Sequence, residues 1–276
     1  MYNKQSATIN KMRSGDWYFV KSEKTNVNNS INNEPIYLIQ QFYVPQHKER
    51  YNETMFALKK NVENKNIDKI YLLNERRYTE KELGCDSSKI EQIIIKKRLT
   101  AAKIFDFVQG FNLKGYIVFA NSDIFLDDTL INLKYSNIEN EKKMYSQLRI
   151  EYKTGVPYNE FKLFDDGCDG YIKSWKNIPG WTPYKCDSAD TWIYHSNFNI
   201  PKEKRYQYDK YFGWAAIDQI LPMLFYKDGF EIANEPYFIK TYHCHENDYR
   251  TYLATETTSE KRHFGDYLLC FPNITH

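Results

Sequence analysis

The stretch Tyr116-Ile117-Val118-Phe119-Ala120-Asn121-Ser122-Asp123-Ile124-Phe125-Leu126-Asp127-Asp128 decides the fold. It opens after Gly115 with a run of apolar, partly β-branched and aromatic residues, which predicts a strand buried on both faces. Such a strand delivers whatever follows it to one edge of a sheet. Here that is Asn121 and Asp123, two residues apart, and strand alternation predicts that their side chains share a side. A carboxylate fixed at the tip of a rigid strand suits a divalent cation, Mg²⁺ or Mn²⁺, held against a diphosphate. The same residues also fit an ordinary turn, in which Asx and Ser side chains bond local backbone. Asp127 or Asp128 fits the cap of a helix beginning at Thr129.

Upstream, Ile36-Tyr37-Leu38-Ile39 predicts a buried parallel strand that runs into the polar-aromatic Gln40-Gln41-Phe42-Tyr43. Residues 47–63 carry Tyr51, Met55, Leu58 and Val62 at helical spacing. Lys69-Ile70-Tyr71-Leu72-Leu73, ending at Asn74, predicts a second strand, and Ile93-Ile94-Ile95 a third. Thr100 predicts the N-cap of a helix over 101–109 closed by Gly110. This alternation over residues 35–120 implies an α/β fold, with a mixed, mostly parallel sheet flanked by helices. Right-handed crossovers then gather the strand ends, and any ligand site, along one edge. Downstream, residues 144–152, Thr191-Trp192-Ile193-Tyr194 and residues 238–245 predict further strands, and residues 214–226 a helix containing Pro222. Residues 1–33 are polar, with Trp17-Tyr18-Phe19-Val20 as a docking strand. The expected organisation is an N-terminal extension over 1–33 followed by one domain over 34–276.

With 42% hydrophobic and 17% aromatic residues, 276 residues suffice for a large core and argue against disorder. The net charge is +2 and the densest basic run is Lys96-Lys97-Arg98, which argues against nucleic acid as a partner. The five cysteines contain no CxxC pair, which disfavours zinc ribbons and thioredoxin chemistry. Free thiols favour a reducing compartment, and no run approaches the roughly 20 apolar residues of a membrane span, so the expected address is the cytosol. No glycine lies between Gly15 and Gly84, and no GxxxxGK[ST] occurs. A dinucleotide-binding Rossmann turn and a P-loop are both disfavoured, since each needs glycines where backbone approaches phosphate. A ligand at the first strand must then be met by strand-end backbone or by the side chains of Gln40, Gln41 and Tyr43.

The order of a first strand ending in polar residues, the helix Lys97-Arg98-Leu99-Thr100-Ala101-Ala102-Lys103-Ile104-Phe105-Asp106-Phe107, and then residues 115–130 resembles the GT-A fold of nucleotide-sugar-dependent glycosyltransferases. It is most similar to a group of GT-A-like proteins that includes glycosyltransferases of large DNA viruses. The resemblance implies a donor site in which Asn121-Ser122-Asp123 stands where the family has Asp-x-Asp, with Asn in place of the first Asp and one charge in place of two. Asp123 would ligate Mn²⁺ or Mg²⁺, and Asn121 would touch ribose or a metal-bound water. It further implies that Gln40, Gln41, Tyr43 and Asn74 line the nucleotide pocket and that Arg98 approaches the sugar or diphosphate. A solvated surface cation is the plain alternative for Arg98.

Cys186-Asp187-Ser188-Ala189-Asp190-Thr191-Trp192 resembles the group's acidic-aromatic segment, which makes Asp190 a candidate base; a turn-capping carboxylate is the alternative. Gly213-Trp214-Ala215-Ala216-Ile217-Asp218 resembles a helix start whose acid reaches the donor sugar, so Asp218 is a second candidate base or a solvent-facing helical acid. His243 and His245 share one face of the late strand, where the family often completes metal coordination, though a polar edge pair is equally ordinary. Imidazole suits Mn²⁺ better than Mg²⁺. The implied reaction moves a sugar from a nucleoside-diphosphate-sugar donor to a glycan or small hydroxyl acceptor, with inversion if Asp190 is the base. Two rivals stand beside it. One is a degenerate, non-catalytic protein that binds carbohydrate or nucleotide, favoured by Asn121. The other is a nucleotidyltransferase, disfavoured by the missing Gly-rich signature.

Overall fold

The structure is a computed structural model that describes residues 8–12, 15–156, 163, 188–244, 263 and 265–274. Its elements, in chain order, are β1 (Thr8–Met12), β2 (Gly15–Lys21), β3 (Ile36–Gln40), α1 (Lys48–Glu63), β4 (Lys69–Asn74), α2 (Glu80–Leu83), β5 (Ile90–Ile94), α3 (Ala101–Gly110) and β6 (Tyr116–Ala120). There follow β7 (Ile124–Leu126), β8 (Lys143–Leu148), β9 (Ile150–Tyr152), β10 (Ala189–His195), α4 (Ile217–Lys227), β11 (Glu231–Ala233), β12 (Thr241–Cys244) and β13 (Tyr267–Phe271).

The central sheet has the order β11-β8-β10-β6-β3-β4-β5. β5, β4, β3 and β6 are parallel neighbours, β10 runs against both β6 and β8, and β11 is parallel to β8. The expected mixed, mostly parallel sheet flanked by helices is therefore what the chain builds. Its first four strands follow the doubly wound order 3-2-1-4, and the antiparallel β10 is inserted before the sheet continues. The order reverses between β3 and β6, so the crevice beyond their carboxyl ends is where such sheets take ligands. Asn121 to Asp123 leave β6 there. Because β10 runs the other way, its first residues, Ala189 and Asp190, reach the same edge.

The sheet is covered on both faces, which explains why its strands read as unbroken apolar runs. On one face Ile117, Phe119, Trp192 and Tyr194 pack with Ile104, Phe105 and Val108 of α3 and Leu221 and Phe225 of α4. On the other, Leu38, Val118, Ile193 and Tyr145 pack with Leu58 of α1 and with Ile124 and Leu126. Gly115 is required at the entry to β6. Its φ of +131° is a left-handed conformation, and a Cβ there would lie 2.3 Å from the Pro35 carbonyl oxygen that accepts the Tyr116 N–H.

Two smaller sheets complete the fold. The expected docking strand at residues 17–20 lies in β2, which pairs antiparallel with β1 and parallel with β13. β7, β12 and β9 form the other, at the ligand edge. Residues 144–152, expected as one strand, are two: the chain leaves the central sheet at Leu148 and joins the small one at Ile150, with Arg149 at the corner. Other boundaries also move. The third strand begins earlier, at Ile90, and the helix expected from residue 214 begins at Ile217 after a turn in which Ala216 takes φ 70°. Gly110 is the last helical residue of α3, and Asn112 carries the positive φ. Thr100 has N-cap backbone, but its hydroxyl makes no capping bond. Asp127 does cap, accepting from the Thr129 N–H at 2.9 Å. Among the described residues no helix is long and apolar enough to cross a membrane.

Asn234 fastens these layers together. Its side chain accepts from the Leu148 N–H at 2.9 Å and donates to the Cys270 carbonyl at 2.9 Å, while its own N–H donates to Ser22 Oγ at 2.9 Å. Asn234→Leu would leave a buried donor and a buried acceptor unmet. The expected loss is about 2–4 kcal/mol of unfolding free energy in urea titration; a loss below ~1 kcal/mol would show that the side chain is not a fastener.

Candidate functional site

Asp123 sits in the tight turn between β6 and β7, closed by the Ile124 N–H donating to the Asn121 carbonyl at 3.2 Å. This turn corrects the expectation that Asn121 and Asp123 share a side. The strand ends at Ala120, alternation stops with it, and the two side chains diverge. Asp123, 4% exposed, accepts from Arg50 Nη2 and lies 3.1 Å from His243 Nε2. Asn121 Nδ2 donates to Asp190 Oδ1 at 2.5 Å.

The small sheet sets the first pair. His243 on β12 stands opposite Ile124 on β7 and beside Glu151 on β9, and the Cys244 N–H donates to the Asp123 carbonyl at 2.9 Å. His243 Nδ1 lies 3.1 Å from Glu151 Oε2. Glu151 in turn accepts from Arg149 Nε at 2.7 Å, and Arg149 Nη1 bonds Asp190 Oδ2. At the other end, Arg50 Nη1 donates to Glu53 at 2.9 Å. One continuous ionic chain thus runs Glu53–Arg50–Asp123–His243–Glu151–Arg149–Asp190–Asn121.

Its electrostatics follow from burial opposed by near charges. Burial alone would raise the Asp123 carboxyl, but Arg50 and His243 outweigh it and hold the pKa well below the usual carboxylate range. Burial would lower the His243 imidazole, but Asp123 and Glu151 outweigh it and raise the pKa to about 9. Glu151 is likewise lowered against the opposing pull of burial, by His243 and then Arg149. In this arrangement the imidazole is a cation donating from both nitrogens.

The structure brings together the predicted Asp123, His243, Asn121 and Asp190. His245 lies outside the described residues. Gln40 and Asn74 are at the edge but buried, with their amides engaged. Gln40 Nε2 donates to the Asn121 carbonyl at 2.7 Å, joining β3 to β6 across the crevice. Asn74 accepts from the Phe42 N–H at 2.9 Å and donates to Gln92 at 3.3 Å. As placed, both shape the crevice from beneath, which corrects the expectation that their side chains line it. Gln41 clamps the loop before α3, donating to the Lys97 carbonyl at 3.0 Å and accepting from the Leu99 N–H at 2.9 Å.

Tyr43 is half-buried, near enough to influence both Arg50 and Arg98. Ser122, half-buried, makes no side-chain hydrogen bond among the described residues. Asp218 lies half-buried in the first turn of α4. Arg98 donates from Nε to the Phe212 carbonyl at 2.9 Å, and no carboxylate pairs with it among the described residues. Although the residue as a whole is exposed, desolvation of its guanidinium lowers the pKa, opposed by Tyr43, Glu75 and Tyr211. Gly213 makes room for it: a Cβ there would stand 2.7 Å from Arg98 Nη2.

Four members of the chain were not singled out from sequence: Arg50, Glu53, Arg149 and Glu151. A signal existed for two. Arg149 and Glu151 interrupt an otherwise strand-like run with an i, i+2 pair of opposite charge. Arg50 and Glu53 look like any i, i+3 surface pair of a first helical turn.

The donor set fits a divalent cation in part. Asp123 Oδ2 and His243 Nε2 are 3.1 Å apart. That matches the ~3.0 Å between adjacent ligands of an octahedral ion with ~2.1 Å bonds. One oxygen and one imidazole nitrogen suit Mn²⁺ better than Mg²⁺. Binding there would displace the imidazole proton and the Arg50 contact. No group of three or more His, Cys, Asp and Glu side chains disposed to hold an ion occurs among the described residues. Further ligands would then be substrate phosphate and water, as is usual for such ions.

Asn at position 121 has a physical reason. An amide can donate to Asp190, whereas a carboxylate would oppose it at 2.5 Å. Asn121→Asp is therefore expected to lower unfolding free energy by about 1–3 kcal/mol at neutral pH. Urea titration checks this, and a variant as stable as the parent would remove the reason.

No family model matches the chain, and no curated protein matches it. Solved structures do. GalNAc-T7, crystallised with UDP, GalNAc and Mn²⁺, aligns at 9% identity and TM-score 0.45, over 85% of this chain and 47% of that one. S. aureus TarS 1-349 in complex with UDP-GlcNAc aligns at 11% identity and TM-score 0.43, over 80% and 62%. The 4-diphosphocytidyl-2C-methyl-D-erythritolsynthase from Anaerococcus prevotii aligns at 13% identity and TM-score 0.39, over 82% and 96%. The chain thus spans about half of the GalNAc-T7 chain and under two thirds of TarS 1-349. With TM-scores below 0.5, the chemistry of the site has to be argued from its own residues.

Proposed function

We propose that the chain transfers a sugar from a nucleoside-diphosphate-sugar donor to a hydroxyl acceptor. The observation that carries this is Asp123 at the switch point of the sheet, 3.1 Å from His243, with Arg98, which pairs with no carboxylate among the described residues, on the same edge. A diphosphate needs positive charge along its length and a fixed point for its leaving oxygen. Arg98 supplies a planar, permanently charged donor. Asp123 and His243 would hold a divalent cation, which when bound offsets charge building on the leaving diphosphate.

In the transfer, the acceptor oxygen bonds the anomeric carbon and the bond from that carbon to the diphosphate oxygen breaks. The hydroxyl proton passes to a carboxylate. Asp190 is the proposed recipient and attack from its side would invert the anomeric centre. Both of its oxygens already accept hydrogen bonds, from Asn121 and Arg149, so the acceptor hydroxyl would take the place of the Asn121 amide on Oδ1. Asp218 is the second candidate. Arg149 bonds Oδ2 and holds the Asp190 carboxylate in place, which a base requires before it meets its proton.

A second reading has its own observation. Asp123 and Asp190 are each already paired with an arginine, as they would be in a protein that binds nucleotide or carbohydrate without turnover. Titration calorimetry with UDP- and GDP-sugars, with and without Mn²⁺, followed by a donor-hydrolysis assay, separates the two. The transferase reading expects donor binding, slow hydrolysis, and a drop of at least about a hundredfold in hydrolysis for Asp123→Ala or on chelation. Donor binding with no turnover on any acceptor favours the binding protein. Hydrolysis and cation uptake that both survive Asp123→Ala would sink the site.

A further inference from the structure

The rim where β3, β4 and β5 end is more basic than the crevice requires. The three strands are parallel neighbours, with Gln40 beside Leu72 and Asn74 beside Ile94, so the segments that follow them leave the sheet at one edge. Past β4 comes Glu75-Arg76-Arg77, and past β5 comes Ile95-Lys96-Lys97-Arg98. Arg76 is spent, donating to Glu82 at 2.7 Å and covering the Tyr78 ring at 3.9 Å. Arg77, Lys96 and Lys97 are exposed and pair with no carboxylate among the described residues. Lys210 is a further unpaired cation, brought to the start of α3 by the Ala101 N–H donating to its carbonyl at 3.2 Å. Glu75 offsets only part of this charge. Burial, and then Lys210 and Arg98, lower the His263 imidazole against its bond to the Tyr211 carbonyl, which marks the local field as positive.

The basic run is held in place by its backbone. The Ile95 N–H donates to the Asn74 carbonyl at 2.8 Å, and Gln41 grips the loop at the Lys97 carbonyl and the Leu99 N–H. Lys96 itself takes φ 56°, a left-handed conformation that Gly or Asn adopts more easily. A cation thus occupies a position that costs backbone energy. Beside the cations the rim is apolar. Val44, beyond the end of β3, and Ile94, the last residue of β5, are large aliphatic side chains left exposed at the same edge.

We infer that this rim is a peripheral docking surface for an anionic lipid bilayer. Arg77, Lys96, Lys97 and Lys210 supply the attraction to phosphate headgroups, each worth about fivefold in affinity close to a charged surface. Val44 and Ile94 supply apolar contact at the headgroup boundary, and lysine stems bury beside them while the ammonium groups stay wet. A soluble polyanion would use the charges but leave both aliphatic side chains in water. Nucleic acid calls for a longer basic track than these short loops offer. Docked in this way, the protein would open its crevice at the lipid surface. The docking surface stands on its own residues and does not rest on the transferase reading.

Vesicle flotation tests it. The full chain is mixed with vesicles of phosphatidylcholine alone, or with about 30% phosphatidylserine added, at about 0.1 M and about 0.5 M salt. Two paired variants are compared: Lys96→Gln with Lys97→Gln, and Val44→Ser with Ile94→Ser. Thermal melts and calorimetry with UDP- and GDP-sugars accompany each protein. The parent is expected to bind the anionic vesicles, to bind the neutral ones far less, and to be released by the higher salt. The lysine pair should weaken binding at least about tenfold and the aliphatic pair at least about threefold, with melting unchanged. If the aliphatic pair melts below the parent, Val44→Ser alone, in a loop, takes its place. The proposal is overturned if the parent does not float with anionic vesicles or floats equally with neutral ones. It is also overturned if either folded variant keeps vesicle affinity within about twofold; survival of the aliphatic variant would mark a polyanion site instead. Vesicle binding in a protein that takes neither UDP- nor GDP-sugars would remove the transferase reading and keep the docking surface.

Discussion

The contact on which the site depends is the Arg149 guanidinium, shared between Asp190 of the central sheet and Glu151 of the small one. Arg149 stands where the chain turns out of β8 and into β9, so its position is fixed by backbone that belongs to both sheets. A planar fork can serve two carboxylates at once, which a point-charge ammonium does less well. Burial works against the charge, and the two carboxylates outweigh it, raising the guanidinium pKa. Through Glu151 the same constraint fixes His243, and through His243 it fixes Asp123. The ligand edge is thereby held as one body, although its residues come from four separate elements and two connections between strands.

Such a chain is not the cheapest way to fill an interior. Buried ion pairs often add little net stability over apolar packing, because desolvation cancels much of the Coulomb attraction. Stability here has another source, in the two apolar layers around the sheet and the aromatic cluster of Phe105, Phe119, Tyr194, Tyr208 and Phe225. The ionic chain supplies position. Removing one member leaves its neighbour charged and unpaired in a dry place, so the members are interdependent. That interdependence also accounts for Asn121. The residue that looks like the loss of a charge is the neutral donor that ends the chain on Asp190.

The crevice and the head of α1 differ in character. At the crevice, Arg98 and the Asp123–His243 pair present localised charge, suited to phosphate and cation. At the head of α1, Phe56 stacks on Tyr152 and lies under the Lys60 ammonium, so its ring faces are covered. The two meet at the Arg50 guanidinium, which bonds Glu53 on one side and Asp123 on the other.

The sequence by itself determined the central architecture. Strands buried on both faces must read as apolar runs, so Ile36–Gln40, Lys69–Asn74 and Tyr116–Ala120 were legible, and the alternation with helices implied the parallel order. It also marked Asp123, because a carboxylate just past an apolar strand stands at a sheet edge whatever the rest of the fold does. Tertiary structure decided the partners. Arg50 and Asp123 are 73 positions apart, Arg149 and Asp190 are 41 apart, and Asp123 and His243 are 120 apart. No local periodicity records which distant charge a side chain will meet. Whether Asn121 and Asp123 shared a side was likewise settled by the turn that ends β6, and whether Gln40 and Asn74 faced a ligand or the backbone was settled by the depth at which their strands end. Propensity and pattern act over a few residues, while the pairing of buried charges is set by the packing of whole layers.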